Sequence, residues 1–155
     1  KMNIFFLSES PVLSARYLCD KHVPKMLLES AQMLSTAMRK RGCDMGYKSA
    51  YPNHPMTVWV GECRANFTWT LYHARELARE YTARYGKHHA SKKVIDDFLF
   101  LKTVGLYRQN MTEPPQCMPD EYKDNDYVIA YRNYYKGEKT FAKWEKGRSE
   151  PRWWS

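Results

Sequence analysis

His22, Lys25, Glu29 and Gln32 stand at i, i+3, i+7 and i+10, which puts an imidazole, an ammonium, a carboxylate and an amide along one stripe of a single helix. Val23, Met26, Leu27, Ala31, Leu34 and Met38 recur at helical spacing beside it and make a core stripe. The spacing therefore predicts a two-faced helix from about Lys21 to Lys40. Asp20 reads as its N-cap, and Pro24 falls in the first turn, where a missing N–H costs little. Lys21, His22 and Lys25 would then gather beside the unpaired N–H groups and positive dipole end of the helix, an arrangement that attracts phosphate or another anion. A solvated face of ordinary charges accounts for the same pattern without chemistry.

A second entry point follows at Asn53-His54-Pro55, a capping residue ahead of an N1 proline. The pattern after it stays helical to Tyr85, and Gly86 closes it. If the two helix starts approach, Asp20, Lys21, His22, Lys25 and Glu29 from one would share a pocket with Asn53, His54, Thr57 and Trp59 from the other. Lysine and histidine close together can divide acid–base work, and a lysine whose charge is depressed by neighbouring cations can attack an electrophilic carbon. The competing reading makes His54 a cap and Trp59 core.

Other chemistries lack their marks. There is no Walker loop, no Gly-x-Gly-x-x-Gly and no Gly-x-Ser-x-Gly elbow. The five histidines, at 22, 54, 73, 88 and 89, form no metal spacing, and Cys19, Cys43, Cys63 and Cys117 form no Cys-x-x-Cys pair. No cofactor or metal is predicted, and the cysteines read as reduced thiols.

The remaining elements must position these residues. Asn3 to Leu7 is an apolar run readable as a buried strand or an extended arm, and Lys1 ahead of Met2 reads as foreign to the native chain. A short helix over about 11–19 should direct Val12, Ala15 and Leu18 inward. Gly42 to Pro52 reads as a loop. The long third helix should bury Trp59, Cys63, Phe67, Leu71, Ala74, Leu77, Ala78 and Tyr81, with Glu62, Asn66, Trp69, His73 and residues 75–80 elsewhere around the cylinder. At roughly thirty residues it should bend or divide, most readily near Val60-Gly61. Residues 86–91 read as a basic turn, and Ser91 as the cap of a helix to about Thr103 that directs Val94, Ile95, Phe98, Leu99 and Leu101 inward. Gln109 to Asp126, with Pro114, Pro115 and Pro119, reads as a long irregular loop, Asp126 as the cap of a helix over 127–135, and residues 136–155 as a basic, aromatic tail packed on or near the site. The fold expected is all-α, a single-domain helical bundle over residues 1–155 with an extended N-terminal arm.

The 155 residues carry a net charge of +8 together with 12 Tyr, 6 Phe and 5 Trp. Cations attract phosphates irrespective of sequence and rings stack on exposed bases, so nucleic acid is the partner predicted. A hydrophobic share of 43% rules out a wholly disordered chain. No run approaches the roughly 18–20 apolar residues of a membrane span, and the short N-terminal run does not read as an export signal. A cytoplasmic location is expected, the host cytoplasm for a phage-encoded chain.

The order of the short arm, first helix, Asp20-Lys21-His22-Val23-Pro24-Lys25-Met26, His54, long helix and terminal Pro151-Arg152-Trp153-Trp154 resembles the pyrimidine-dimer DNA glycosylases of the bacteriophage endonuclease V type. Cys19 to Val23 and Arg84 to His88 also look like elements of phage-type relatives. The resemblance implies a helical domain that grips damaged duplex DNA, bends it and everts a nucleotide, while an N-terminal amine attacks the sugar C1′ and a glutamate in an Arg-Glu-Leu-Pro-Arg segment assists. It places Lys21, His22 and Lys25 at the Arg, Glu and Arg positions, with His22 replacing the carboxylate, and Asn3 at the first residue. Lys21 and Lys25 would bind phosphate, His22 would act as acid or base, and Trp153 and Trp154 would contact DNA. The expectation is thus a DNA-acting enzyme of glycosylase/AP-lyase type working on an extruded or modified pyrimidine. The catalytic candidates are His22, Lys25, Lys21, Glu29 and His54; the DNA- or phosphate-binding candidates are Asp20, Asn53, Lys87, His88, Arg152, Trp153 and Trp154. One alternative is a DNA-base modifying transferase in which Lys21, Lys25, Lys87 and His54 hold the phosphate or pyrophosphate of a pyrimidine substrate. Another is a non-enzymatic, basic DNA-binding accessory protein.

Overall fold

The N-terminal arm is extended and threads into the core, where Ile4, Phe5, Phe6 and Leu7 are all buried. The computed structural model describes residues 2–101 and 111–155. Six α-helices occur among the described residues and no strand: α1 (Pro11–Tyr17), α2 (His22–Lys40), α3 (Pro55–Glu62), α4 (Arg64–Tyr85), α5 (Lys92–Phe100) and α6 (Tyr127–Glu138). Single 3₁₀ turns span Asp120–Tyr122 and Arg152–Trp154. The all-α class is as expected.

Ser10 caps α1 by accepting from Leu13 N, and Asp126 caps α6 by accepting from Val128 N and Ile129 N. Two other caps differ from expectation. Lys21, not Asp20, occupies the cap position of α2 and makes no side-chain cap bond, because the Asp20 carboxylate is turned to Arg84 and to the tail. Ser91 makes no cap bond either; its hydroxyl meets that of Tyr47 at 2.9 Å. The helix expected from 55 to 85 is divided at Cys63, whose φ of −154° and ψ of 165° are extended, two residues beyond the Val60-Gly61 site favoured by composition. The last helix runs three residues further than expected, to Glu138. The expected end of the fourth helix at Thr103 and the start of the loop at Gln109 lie outside the described residues.

The central element is α4, which packs against α1, α2, α3 and α5. Surrounded in this way, it buries far more than one stripe: Asn66, Trp69, His73, Glu76 and Glu80, all expected away from the core, are buried. The polar ones are satisfied by other elements. His73 Nδ1 donates to Pro11 O at 3.0 Å, and Asn66 donates to Trp59 O at 2.8 Å. Arg84, 1% exposed in its side chain, donates to Leu18 O and Arg16 O and pairs with Asp20 and Glu80. Arg148 from the tail makes two further bonds to Glu80, and Glu145 N donates to Asp20, so this buried charge cluster fastens residues 143–148 to the start of α2. The four cysteines are free thiols.

Candidate active site

The starts of α2 and α3 meet across the N-terminal arm. A cavity of about 830 Å³ opens between them, lined by Asn3, Phe5, His22, Lys25, Glu29 and His54, and closed on its other side by residues 115–119, Lys123, Tyr134, Glu138 and Lys139. Two segments some thirty residues apart in the chain thus contribute histidines to one recess.

The arm reaches its position through Asn3. Its Oδ1 accepts from Ile4 N and Phe5 N, its Nδ2 donates to Cys117 O at 3.1 Å, and its main-chain nitrogen donates to Glu29 Oε1 at 3.0 Å. This turn carries Phe5 into the left-handed region, φ 63°, which costs a non-glycine residue of order 1–3 kcal/mol. Hydrogen bonds to Phe5 O from Ser14 Oγ and Leu7 N hold the conformation. The result is an aromatic wall in which the Phe5 ring stacks on His22 with centroids 4.9 Å apart and on Tyr134 at 5.9 Å. The Lys139 ammonium lies 5.4 Å from the Phe5 centroid and 4.8 Å from that of Tyr134.

His22 is buried, and its Nδ1 meets the Tyr135 hydroxyl at 2.7 Å. That hydroxyl also accepts from Cys19 N and lies 3.2 Å from Cys19 Sγ. Burial lowers the His22 pKa to about 3, helped by the positive charges of Lys139, Lys25 and Lys21. The ring is therefore neutral at physiological pH, with Nδ1 engaged by the Tyr135 hydroxyl. Glu29 is held above its ordinary value by burial, opposed by the Asn3 N–H and Lys25. His54 is the α3 cap, its Nδ1 accepting from Met56 N, and the same residue lines the cavity.

The other candidates are dispersed. Lys21 is exposed, its ammonium 4.9 Å from the Phe141 centroid, and does not line the cavity. Asp20 is buried in the Arg84 cluster, Asn53 is exposed outside the recess, and Thr57 and Trp59 are core. Lys87 and His88 are exposed on the turn after α4, and His88 borders a shallow depression with Lys92 and Lys93. Trp153 and Trp154 pack behind Tyr135, with centroids 6.2 and 6.1 Å from it, while Arg152 is exposed. Sequence reasoning missed Phe5, Gln116, Tyr134, Glu138 and Lys139. The signal present was the stripe Tyr127, Tyr131, Tyr134 and Glu138 along α6, at helical spacing. Among the described residues no group of three or more His, Cys, Asp and Glu side chains gathers to hold a metal.

Among the described residues the fold is all-helical, and its recess gathers three lysines, two carboxylates and two imidazoles beside the stacked Phe5 and Tyr134 rings. A family described as pyrimidine dimer DNA glycosylase matches residues 2–94, more than half of the chain, and the protein belongs to that family. No curated protein and no solved structure matches it. The matched region supplies Asn3, Phe5, His22, Lys25, Glu29 and His54, whereas the opposite wall, residues 115–139, lies beyond it.

Proposed function

We propose that the protein excises a damaged pyrimidine from DNA by turning the nucleotide out of the duplex into this cavity, where Lys25 attacks the sugar C1′ and Glu29 carries the protons. The observation that carries the reading is the placing of Asn3, His22, Lys25 and Glu29 on one side of a single recess. Its volume, about 830 Å³, lies within the several hundred to roughly 1,000 Å³ usual for small-ligand sites. Eversion is needed because a stacked duplex hides C1′ and the base edge, and the Phe5 and Tyr134 rings offer stacking that offsets the lost pairing.

The family resemblance puts the attacking amine at the N-terminus. Here the Asn3 nitrogen is a peptide N–H donating to Glu29, and Lys25, one helical turn before Glu29, supplies a primary amine in the same recess. Glu29 takes a proton from the Lys25 ammonium, Nζ bonds to C1′, and the C1′–base bond breaks with its electron pair leaving on the base. The Glu29 carboxyl returns the proton to the base; the C1′–O4′ bond then opens with its electron pair leaving on O4′, which takes one of the two protons of the alkylated Nζ, and a protonated imine between C1′ and Nζ remains. A carboxyl raised by burial suits this exchange, because both of its forms are accessible nearer neutral pH. His22, neutral, holds a polar group of the substrate, as does His54. Lys21, Lys87, His88 and Arg152, all exposed, contact phosphates.

Borohydride reduction on abasic or thymine-dimer DNA tests the reading. It should trap a covalent adduct in the parent protein and in Lys123→Ala, and none in Lys25→Ala. Absence of both an adduct and strand scission in the parent protein sinks it. The three cavity lysines, Lys25, Lys123 and Lys139, also favour a second reading, a transferase acting on a phosphorylated pyrimidine in DNA. Release of phosphate or pyrophosphate from such DNA, lost in His22→Ala with binding retained, would select it. Binding with no chemical change on any DNA would leave the accessory role.

A further inference from the structure

Outside the cavity, a strongly basic trough of about 660 Å³ lies between α1, α6 and the tail, lined by Arg16, Arg132, Arg148 and Arg152 together with Tyr17 and Trp153. We propose that this trough is a second phosphodiester site, which holds the DNA backbone away from the nucleotide being processed. The proposal rests on the DNA reading above, but on none of the catalytic assignments.

The four guanidinium groups are held in different ways. Arg16 pairs with Glu76 at 3.1 Å and Arg148 with Glu80 at 2.7 Å, so the carboxylates behind the trough fix these two side chains in place. Arg132 is fixed without any carboxylate: its Nε donates to Leu7 O at 2.9 Å, and its guanidinium lies 5.3 Å from the Trp153 centroid and 5.8 Å from that of Tyr17. Contact with both rings and the bond to Leu7 O hold the planar group while its two terminal nitrogens keep their donors, a preorganisation suited to the oxygens of a phosphate. Arg152 is exposed on the same wall. Glu150 on the rim is the one carboxylate lining the trough, so an anionic occupant is favoured.

The position of the trough identifies which anion. Tyr135 lies between the two recesses: its hydroxyl reaches His22 at the cavity, while its ring meets Trp153 at the trough. The two recesses thus back onto the same buried ring, and duplex DNA, with a charge about every 1.7 Å of axis, is long enough to follow the surface from one to the other. An acidic peptide would satisfy the arginines but has no reason to be next to the base recess.

The test is binding of undamaged duplex DNA across a salt series by Arg152→Ala, by Arg132→Met and by the double variant, with thermal unfolding as the control for folding. Arg152 is exposed and pairs with no carboxylate among the described residues, so its truncation leaves the fold intact. The double variant should bind roughly tenfold more weakly, with a salt slope lower by about one for each lost phosphate contact. Arg152→Lys should recover part of the slope. A parent protein that binds DNA with this slope yet performs no excision would leave the trough standing and remove only the catalytic reading. Unchanged affinity and slope in the double variant, or displacement of DNA by polyglutamate at equal charge, would overturn the proposal.

Discussion

Two buried histidines should make this protein acid-sensitive well above the carboxylate range. His73 is fully buried, stacked on Trp69 at 5.0 Å, with Nδ1 committed to Pro11 O and Nε2 without a partner. Burial lowers its pKa to about 4, and that of His22 to about 3. The unfolded chain binds a proton at each histidine below about pH 6.5 while the folded protein does not, so stability falls as pH drops through this window. Between pH 7 and 5 each histidine should cost about 2 kcal/mol, about 4 together. For a chain of this size that is a fall of roughly 8–16 °C in Tm. His89, also lowered by burial, acts in the same sense. Glu29, held high, loses stability as pH rises and blunts the trend at the acid end, and Glu80, held low with Arg148 and Arg84 as partners, enters only below its ordinary value. Urea unfolding at half-unit steps from pH 5 to 8 measures the slope. His73→Gln should be less stable at pH 7 but show about half of the parent's pH dependence. A flat profile in the parent, or an unchanged slope in His73→Gln, refutes the argument.

Arg84→Met should destabilise by about 3–5 kcal/mol in denaturant unfolding, because it leaves the buried Asp20 carboxylate without a cation and Glu80 with Arg148 alone, and strips Leu18 O and Arg16 O of their donor. Tyr135→Phe keeps the ring packing but leaves His22 Nδ1 and Cys19 N without their partner, and should cost about 1–3 kcal/mol and lower kcat more than KM changes. Gly46→Ala should lose about 2 kcal/mol by the same measurement, since residue 46 has φ +78° and an added Cβ would lie 3.0 Å from the Phe98 ring and crowd Ser35. Glu29→Gln keeps an acceptor for the Asn3 N–H and should retain fold and DNA affinity while losing excision in a single-turnover assay.

Periodicity predicted the helices because each buries a stripe, and the caps at Ser10, His54 and Asp126 follow from residue type alone. It could not foresee that α4 is enclosed on nearly every side, since its buried polar residues are satisfied by atoms far away in the chain, such as Pro11 O and Arg148. Asp20 shows the same limit: a good capping residue is turned away by a guanidinium 64 positions later. At the site, the stripe His22, Lys25 and Glu29 was legible as a helix face. That it meets His54 was a conjecture about tertiary structure, and the partner of the Glu29 carboxylate, the Asn3 nitrogen, belongs to an arm with no period to read.

The division of the cavity bears on how its chemistry and its selectivity are set. The amine, carboxylate and imidazoles proposed for the reaction come from α2 and from the cap of α3, within the region shared with the family. The facing wall comes from a loop whose course depends on cross-links rather than on regular structure. Tyr131 donates to Pro115 O and accepts from Cys117 N, Asn3 donates to Cys117 O, and Gln116 and Asp124 exchange two hydrogen bonds. A wall held by so few anchors can change shape by substitution in residues 115–123 without disturbing the reacting groups opposite. Exchanging Gln116 or Met118 should therefore alter which pyrimidine lesions are accepted while leaving trapping of an abasic site, which presents no base to that wall, near the parent rate. Equal losses on both substrates would place the loop in the reaction itself.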